Sequence, residues 1–258
     1  MPRCPIAILC CAGALGGCIA EEDHGPFRPG GGGGTGGGSN QGGDARLADA
    51  AGTDGGGGVS GLVCVVTDLR APDACPAVAS RAGVTIAVTG TTTTTTSDTD
   101  GRFAVALSGG IAVLGVAAGS ATLERSRVPV AATTALVHTP VVTRPAWAAV
   151  LGALGVSVPD GGGVIALYVD DTAGPAAGVT FAAVAGSSIA PFYDDGGALA
   201  WTQLGGTGVA GVALFVDVPV GNVTLDGAAA DQRVARLTGV PVVADEITFV
   251  RVRLAAPP

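Results

Sequence analysis

Gly61-Leu62-Val63-Cys64-Val65-Val66-Thr67-Asp68 is the first β-rich stretch of the chain, and it follows a long glycine-rich region. Its pattern returns as Gly163-Val164-Ile165-Ala166-Leu167-Tyr168-Val169-Asp170. Both stretches open on glycine and close on aspartate, with branched and aliphatic residues between, which is the composition of a strand. The echo predicts two copies of one small β-domain.

Between the two stretches, strand and turn signals alternate. Ala82–Val88, Thr91–Thr96, Arg102–Leu107, Ile111–Ala117, Ala121–Val130 and Leu136–Thr143 are rich in Val, Ile, Thr and Phe. Asp98-Thr99-Asp100-Gly101 breaks the run, and glycine after aspartate supplies the positive φ that a hairpin needs. Short strands at this spacing predict a sandwich. Arg144-Pro145 closes the set. Trp147, Val150, Leu151 and Leu154 then recur at helical spacing between Pro145 and Gly155, which predicts one short helix that packs on the second copy or between the two.

In the second copy, Ala177-Gly178-Val179-Thr180 repeats Ala82-Gly83-Val84-Thr85. Val212–Val218, Asn222–Leu225, Val234–Leu237 and Ile247–Leu254 supply later strands. The fold class is therefore all-β: two tandem small antiparallel β-sandwich domains, over 61–144 and 160–258, joined by a connector over 145–159.

Gly61…Asp68, Ala82-Gly83-Val84-Thr85 and Thr99-Asp100-Gly101-Arg102-Phe103 together resemble the carboxypeptidase regulatory-like domain, a transthyretin-like Greek-key sandwich. Pro219-Val220-Gly221 between two strands resembles the closing element of the same family. The resemblance implies a non-catalytic module, one that accompanies enzymes and also occurs in surface proteins without an enzyme.

Residues 1–17 form a signal peptide: Arg3, a short apolar run, then small residues, too short to span a bilayer as a mature helix. Leu15-Gly16-Gly17-Cys18 resembles the lipobox of bacterial lipoproteins, which implies acylation of Cys18. Ile19 after the cysteine resembles an outer-membrane address. The tether over 18–60 contains Gly30–Gly34, Gly36–Gly38 and Gly55–Gly58 and has little apolar surface to offset the entropy of ordering. About forty such residues reach about 35 Å. His24 within it reads as solvated.

Export to an oxidising compartment predicts a Cys64–Cys75 disulfide, these being the only cysteines after Cys18. A metal site needs more ligands than these two. His138 reads as a strand residue with no acid or nucleophile placed beside it. The Thr91–Thr96 run fits an edge strand better than a glycosylated patch, and Asp98 and Asp100 fit a turn better than a calcium loop.

The net charge of −8 and the absence of a basic patch exclude nucleic-acid binding. Gly206-Thr207-Gly208-Val209-Ala210-Gly211 fits the dinucleotide fingerprint, but a strand and Pro219 follow it instead of a helix, which argues against a nucleotide. No cofactor and no metal are expected.

The second copy diverges over Ala185–Ala210, where Phe192, Tyr193, Asp194, Asp195 and Trp201 cluster in a chain only 4% aromatic. Aromatic faces beside carboxylates suit stacking on sugars, so these residues are the candidate ligand site; the alternative is that they cover the sandwich end. No catalytic residue is assigned. The leading reading is a non-catalytic, lipid-anchored envelope protein that binds a glycan or another envelope protein, or that serves as a spacer. A hydrolase using Asp194 with Asp170, Asp171 or Asp217 is the third reading.

Overall fold

The computed structural model describes residues 57–107, 110–132, 136–158, 161–197 and 199–255. The signal peptide, Cys18, His24 and the tether up to residue 56 lie outside the described residues. In the first half the strands are β1 (Gly58–Val66), β2 (Thr85–Val88), β3 (Thr94–Thr96), β4 (Arg102–Ala106), β5 (Ile111–Val116), β6 (Ser126–Ala131) and β7 (Val137–Val142). The helix α1 (Arg144–Leu154) follows. The second half holds β8 (Gly163–Asp170), β9 (Thr180–Phe181), β10 (Phe192–Asp194), β11 (Trp201–Thr202), β12 (Val212–Val218), β13 (Gly221–Ala228), β14 (Val234–Val242) and β15 (Ile247–Arg253). The first strand thus begins at Gly58, inside the stretch read as tether. No helix among the described residues is long and apolar enough to cross a membrane.

The two halves share one pairing scheme. β1 lies between β4, antiparallel, and β7, parallel. β8 lies between β12, antiparallel, and β15, parallel. β2 pairs with β5 and β5 with β6, just as β9 pairs with β13 and β13 with β14. The register corrects the echo in the sequence. Leu62 faces Arg102 and Tyr168 faces Val212, so Leu62 corresponds to Tyr168 and not to Val164. The place of Cys64 is therefore taken by Asp170, not by Ala166. The two opening glycines are needed for separate local reasons. A Cβ on Gly61 would run into the Phe103 ring, and one on Gly163 would stand 2.7 Å from the Val243 carbonyl oxygen.

The Ala-Gly-Val-Thr repeat is the better guide, because its hydrogen bonds repeat too. Gly83 and Gly178 both have positive φ. The Ser97 hydroxyl accepts from Val84 N–H at 2.9 Å and donates to the Arg81 carbonyl at 2.6 Å. The Thr207 hydroxyl accepts from Val179 N–H at 3.0 Å and donates to the Ala176 carbonyl at 2.7 Å. Both hydroxyls are buried, and each satisfies a donor and an acceptor that burial would otherwise leave orphaned.

The halves belong to one compact unit. Their sheets join edge to edge through β6 and β15 into a nine-stranded sheet ordered β11-β10-β12-β8-β15-β6-β5-β2-β3. Two three-stranded sheets, β4-β1-β7 and β14-β13-β9, complete the architecture. Ile165, Leu167, Ala213 and Phe215 pack against Phe181 and Leu225 of the β9–β13–β14 sheet. Val164, Ala166, Val212 and Leu214, on the other face, join the core of the first half together with Trp147 and Val150 of α1. β8 and β12 are thus buried on both faces, which is why Val164–Val169 and Val212–Val216 read as apolar runs with no alternation. α1 is where the apolar stripe placed it. Thr143 caps its start, the Oγ1 accepting from Ala146 N–H at 3.3 Å, and Gly155 ends it in a left-handed conformation.

Candidate functional site

The aromatic cluster does not form a platform. Phe192, Tyr193 and Asp194 retain 8, 3 and 2% of their surface. The Tyr193 hydroxyl accepts from Phe181 N–H at 2.8 Å, which ties β10 to the facing sheet. Asp194 accepts from the N–H groups of Gly208, Ala210 and Val212 at 2.8–2.9 Å. The glycine-rich turn that resembles a dinucleotide fingerprint therefore spends its amides on a carboxylate of the same chain. Asp195 is exposed, and Trp201 is half-buried beside Asp194 in the β10–β11 pair. The segment extends the nine-stranded sheet beyond β12 as the β10–β11 edge. The carboxylates considered for hydrolysis are engaged separately: Asp170 with Arg251, Asp171 with its own turn and Arg233, and Asp217 with Ser188.

A concave feature lies elsewhere, between the halves. β15 pairs with β6 only at Ile247–Ser126 and Thr248–Arg127. In a parallel ladder the next N–H from β6 toward β15 would come from Pro129, which has none, so pairing stops and the strands part. A cleft of about 740 Å³ opens between Val128–Ala131 and Phe249–Arg251, with β7 on one side and Leu237–Pro241 on the other. Its walls are largely apolar, and they include Ile111 and Leu136, which are exposed large hydrophobics. Pro72, Pro129, Pro140 and Pro241 all line it.

A polar cluster stands at one end. The Cys64–Cys75 disulfide is formed, and it closes a loop that carries Asp73. Asp73 Oδ1 lies 3.2 Å from His138 Nδ1 on β7, and its Oδ2 accepts from Arg251 Nη2 on β15 at 2.6 Å. Arg251 Nε is 3.3 Å from Asp170, and the guanidinium lies over the Tyr168 ring. Tyr168 donates to the Leu69 carbonyl at 2.8 Å, and burial pushes its hydroxyl up. Partial burial works to raise the Asp73 carboxyl, but the hydrogen bonds and charges of Arg251, then His138, outweigh it and hold the group below the usual carboxylate range. Asp68, on the same loop, is held down mainly by its hydrogen bond to Arg70. Arg70 in turn donates to the Gly196 carbonyl at 2.6 Å. One disulfide-closed loop thus reaches both halves.

His138 therefore has an acidic partner, contrary to the sequence reading. The cleft was likewise not read from sequence; Pro129 inside a strand pattern was its one legible signal.

No protein-family model matches the chain. No curated protein matches it either. Among solved structures, the chain is similar to the Bacillus anthracis TIE protein at 14% identity and a TM-score of 0.25, over 78% of this chain and 34% of that one. The chain spans about a third of that protein's length. It is also similar to a double mutant of the shaft pilin SpaA from Lactobacillus rhamnosus GG, at 11% identity and a TM-score of 0.21, over 79% of this chain and 99% of that one. A Streptococcal ancillary pilin gives 13% identity and a TM-score of 0.23, over 78% and 62%.

Proposed function

We propose that the protein is a non-catalytic envelope protein, held to a membrane through an acylated Cys18, that binds an apolar small molecule in the cleft between β6 and β15. The observation that carries this reading is the parting of the two strands at Pro129, which leaves a cleft of about 740 Å³ with largely apolar walls. That volume lies in the range of small-molecule sites. Four wall prolines offer no N–H to an added strand, which favours a compact apolar ligand over an extended peptide. The likeness of Gly61–Asp68, Ala82–Thr85 and Thr99–Phe103 to carboxypeptidase regulatory-like modules supports a non-catalytic role, Leu15–Cys18 supports the anchor, and Ile19 after it supports an outer-membrane address.

Titration with the fluorescent probe 1-anilinonaphthalene-8-sulfonate tests the reading. The intact chain should bind the probe saturably at one site. Ala131→Trp, which fills the cleft, should weaken binding at least tenfold without unfolding the protein. Equal binding by the two would refute the cleft as the site, and no binding would favour the spacer reading. Palmitate labelling that is lost in Cys18→Ala tests the anchor.

A further inference from the structure

Two sulfurs do not make a metal site, but the fold adds a third donor. Cys64 on β1, Cys75 at the end of the loop and His138 on β7 place their ligand atoms within 4.8 Å of one another. Cys64 is buried, and Cys75 and His138 are half-buried. Donors around one tetrahedral zinc stand about 3.3–3.8 Å apart, given Zn–S of about 2.3 Å and Zn–N of about 2.0 Å. Bringing these three to that spacing needs the sulfurs to separate and the ring to shift by about an ångström. Asp73 Oδ1 lies 3.2 Å from His138 Nδ1, and an ionised Asp73 can only accept. With Nδ1 engaged by Asp73, Nε2 is the ring nitrogen left for a ligand. A carboxylate on the far nitrogen of a ligating imidazole is the usual way such a ring is oriented and made more basic.

We propose that, once its disulfide is reduced, this cluster is a Cys64–Cys75–His138 site for a thiophilic d10 cation, Zn²⁺ in the first instance. The chemistry balances. A dithiol reductant passes two electrons and two protons to the S–S bond, which opens to two thiols, and the reductant becomes its own disulfide. Zn²⁺ then displaces the two thiol protons and binds two thiolates and the imidazole, with a fourth position left for water. The disulfide and the metal exchange as the tie between the loop and the sheet, so Asp73 stays near Arg251 in both states. Asp73 and His138 also line one end of the apolar cleft, but the metal site needs no ligand in it.

The test is Zn²⁺ binding by the full chain, oxidised and after reduction with a phosphine, in competition with a chromophoric chelator. The Cys64→Ser/Cys75→Ser double variant subtracts any contribution of Cys4, Cys10, Cys11 and Cys18. The reduced protein should bind one equivalent more than the oxidised protein or the double variant. His138→Ala should weaken that binding at least tenfold, and Asp73→Asn should weaken it about tenfold by releasing the ring. A nitrogen-detected histidine NMR spectrum of the reduced wild type gives a readout without substitution: the His138 Nε2 signal should move on addition of Zn²⁺. Either an equal zinc load in the reduced wild type and the double variant, or an unmoved His138 signal, overturns the proposal.

Discussion

The Asp194 carboxylate does for the second half what the Asp98 carboxylate does for the first. Asp98 Oδ1 accepts from Asp100 N–H and Arg102 N–H, both at 2.8 Å. Ala210 and Val212 are the corresponding residues, since Ser97 matches Thr207 and Gly101 matches Gly211. Gly208 stands at the place of Asp98 and has no side chain to offer. Asp194 reaches in from the inserted β10–β11 segment and takes those N–H groups instead. The room it needs is left by the glycine: a Cβ on Gly208 would lie 2.6 Å from Asp194 Oδ2.

The two aspartates should therefore differ in weight. Asp194→Ala leaves three N–H groups without their buried acceptor in a partly buried turn, and should cost about 3 kcal/mol in urea unfolding. Asp98→Ala acts in a turn already open to water, which can replace the carboxylate, and should cost about 1 kcal/mol or less. Equal losses would contradict the correspondence.

The sequence showed the strands well where a continuous apolar run is bounded by turn residues. Gly163–Asp170 and Val212–Val218 came out with their observed bounds. The register did not, because a glycine-to-aspartate echo in a chain of Ala, Gly and Val aligns equally well several residues apart. Only ladder contacts such as Leu62–Arg102 fix it. The aromatic cluster misled for a related reason. Tyr193 and Phe192 are scarce large side chains, and a core of small residues takes them inside, where burial gains most. The Asp73–His138–Arg251 contact was hidden because its three members lie far apart in sequence and are gathered by the disulfide loop and by strands β7 and β15 of different sheets.

The disulfide should support the first half by restricting the unfolded chain. For its short ring, the Cys64→Ala/Cys75→Ala variant should lose about 2.5–3 kcal/mol relative to the oxidised protein. Chemical denaturation with and without reductant checks this, and a loss under 1 kcal/mol would mean that the loop is held by its other contacts.

Acid should weaken the clamp between the halves. The Asp73 carboxyl is lower in the folded protein than in the unfolded chain, where it titrates near the ordinary value of about 3.9. Its contribution is complete above that ordinary value and is lost as pH falls through the lowered folded value. Wild type should exceed Asp73→Asn in urea midpoint at pH 7, and the gap should narrow below pH 4. A constant gap down to pH 2 would assign the effect to shape and not to charge.

Pro129→Ala should return an N–H to the edge of β6 facing β15. Its amide should then be protected from hydrogen exchange by the Phe249 carbonyl, and probe binding in the narrowed cleft should fall several-fold. Free exchange at that amide would mean that Pro129 does not end the pairing.

Photolabelling of the full chain with a diazirine-bearing apolar probe, mapped by mass spectrometry, tests the cleft most directly. The account requires label on the peptides that carry Val128–Ala131 and Phe249–Arg251, and its loss in Ala131→Trp. Label spread over exposed residues such as Leu204 and Val209, with the cleft peptides unmarked, would contradict it.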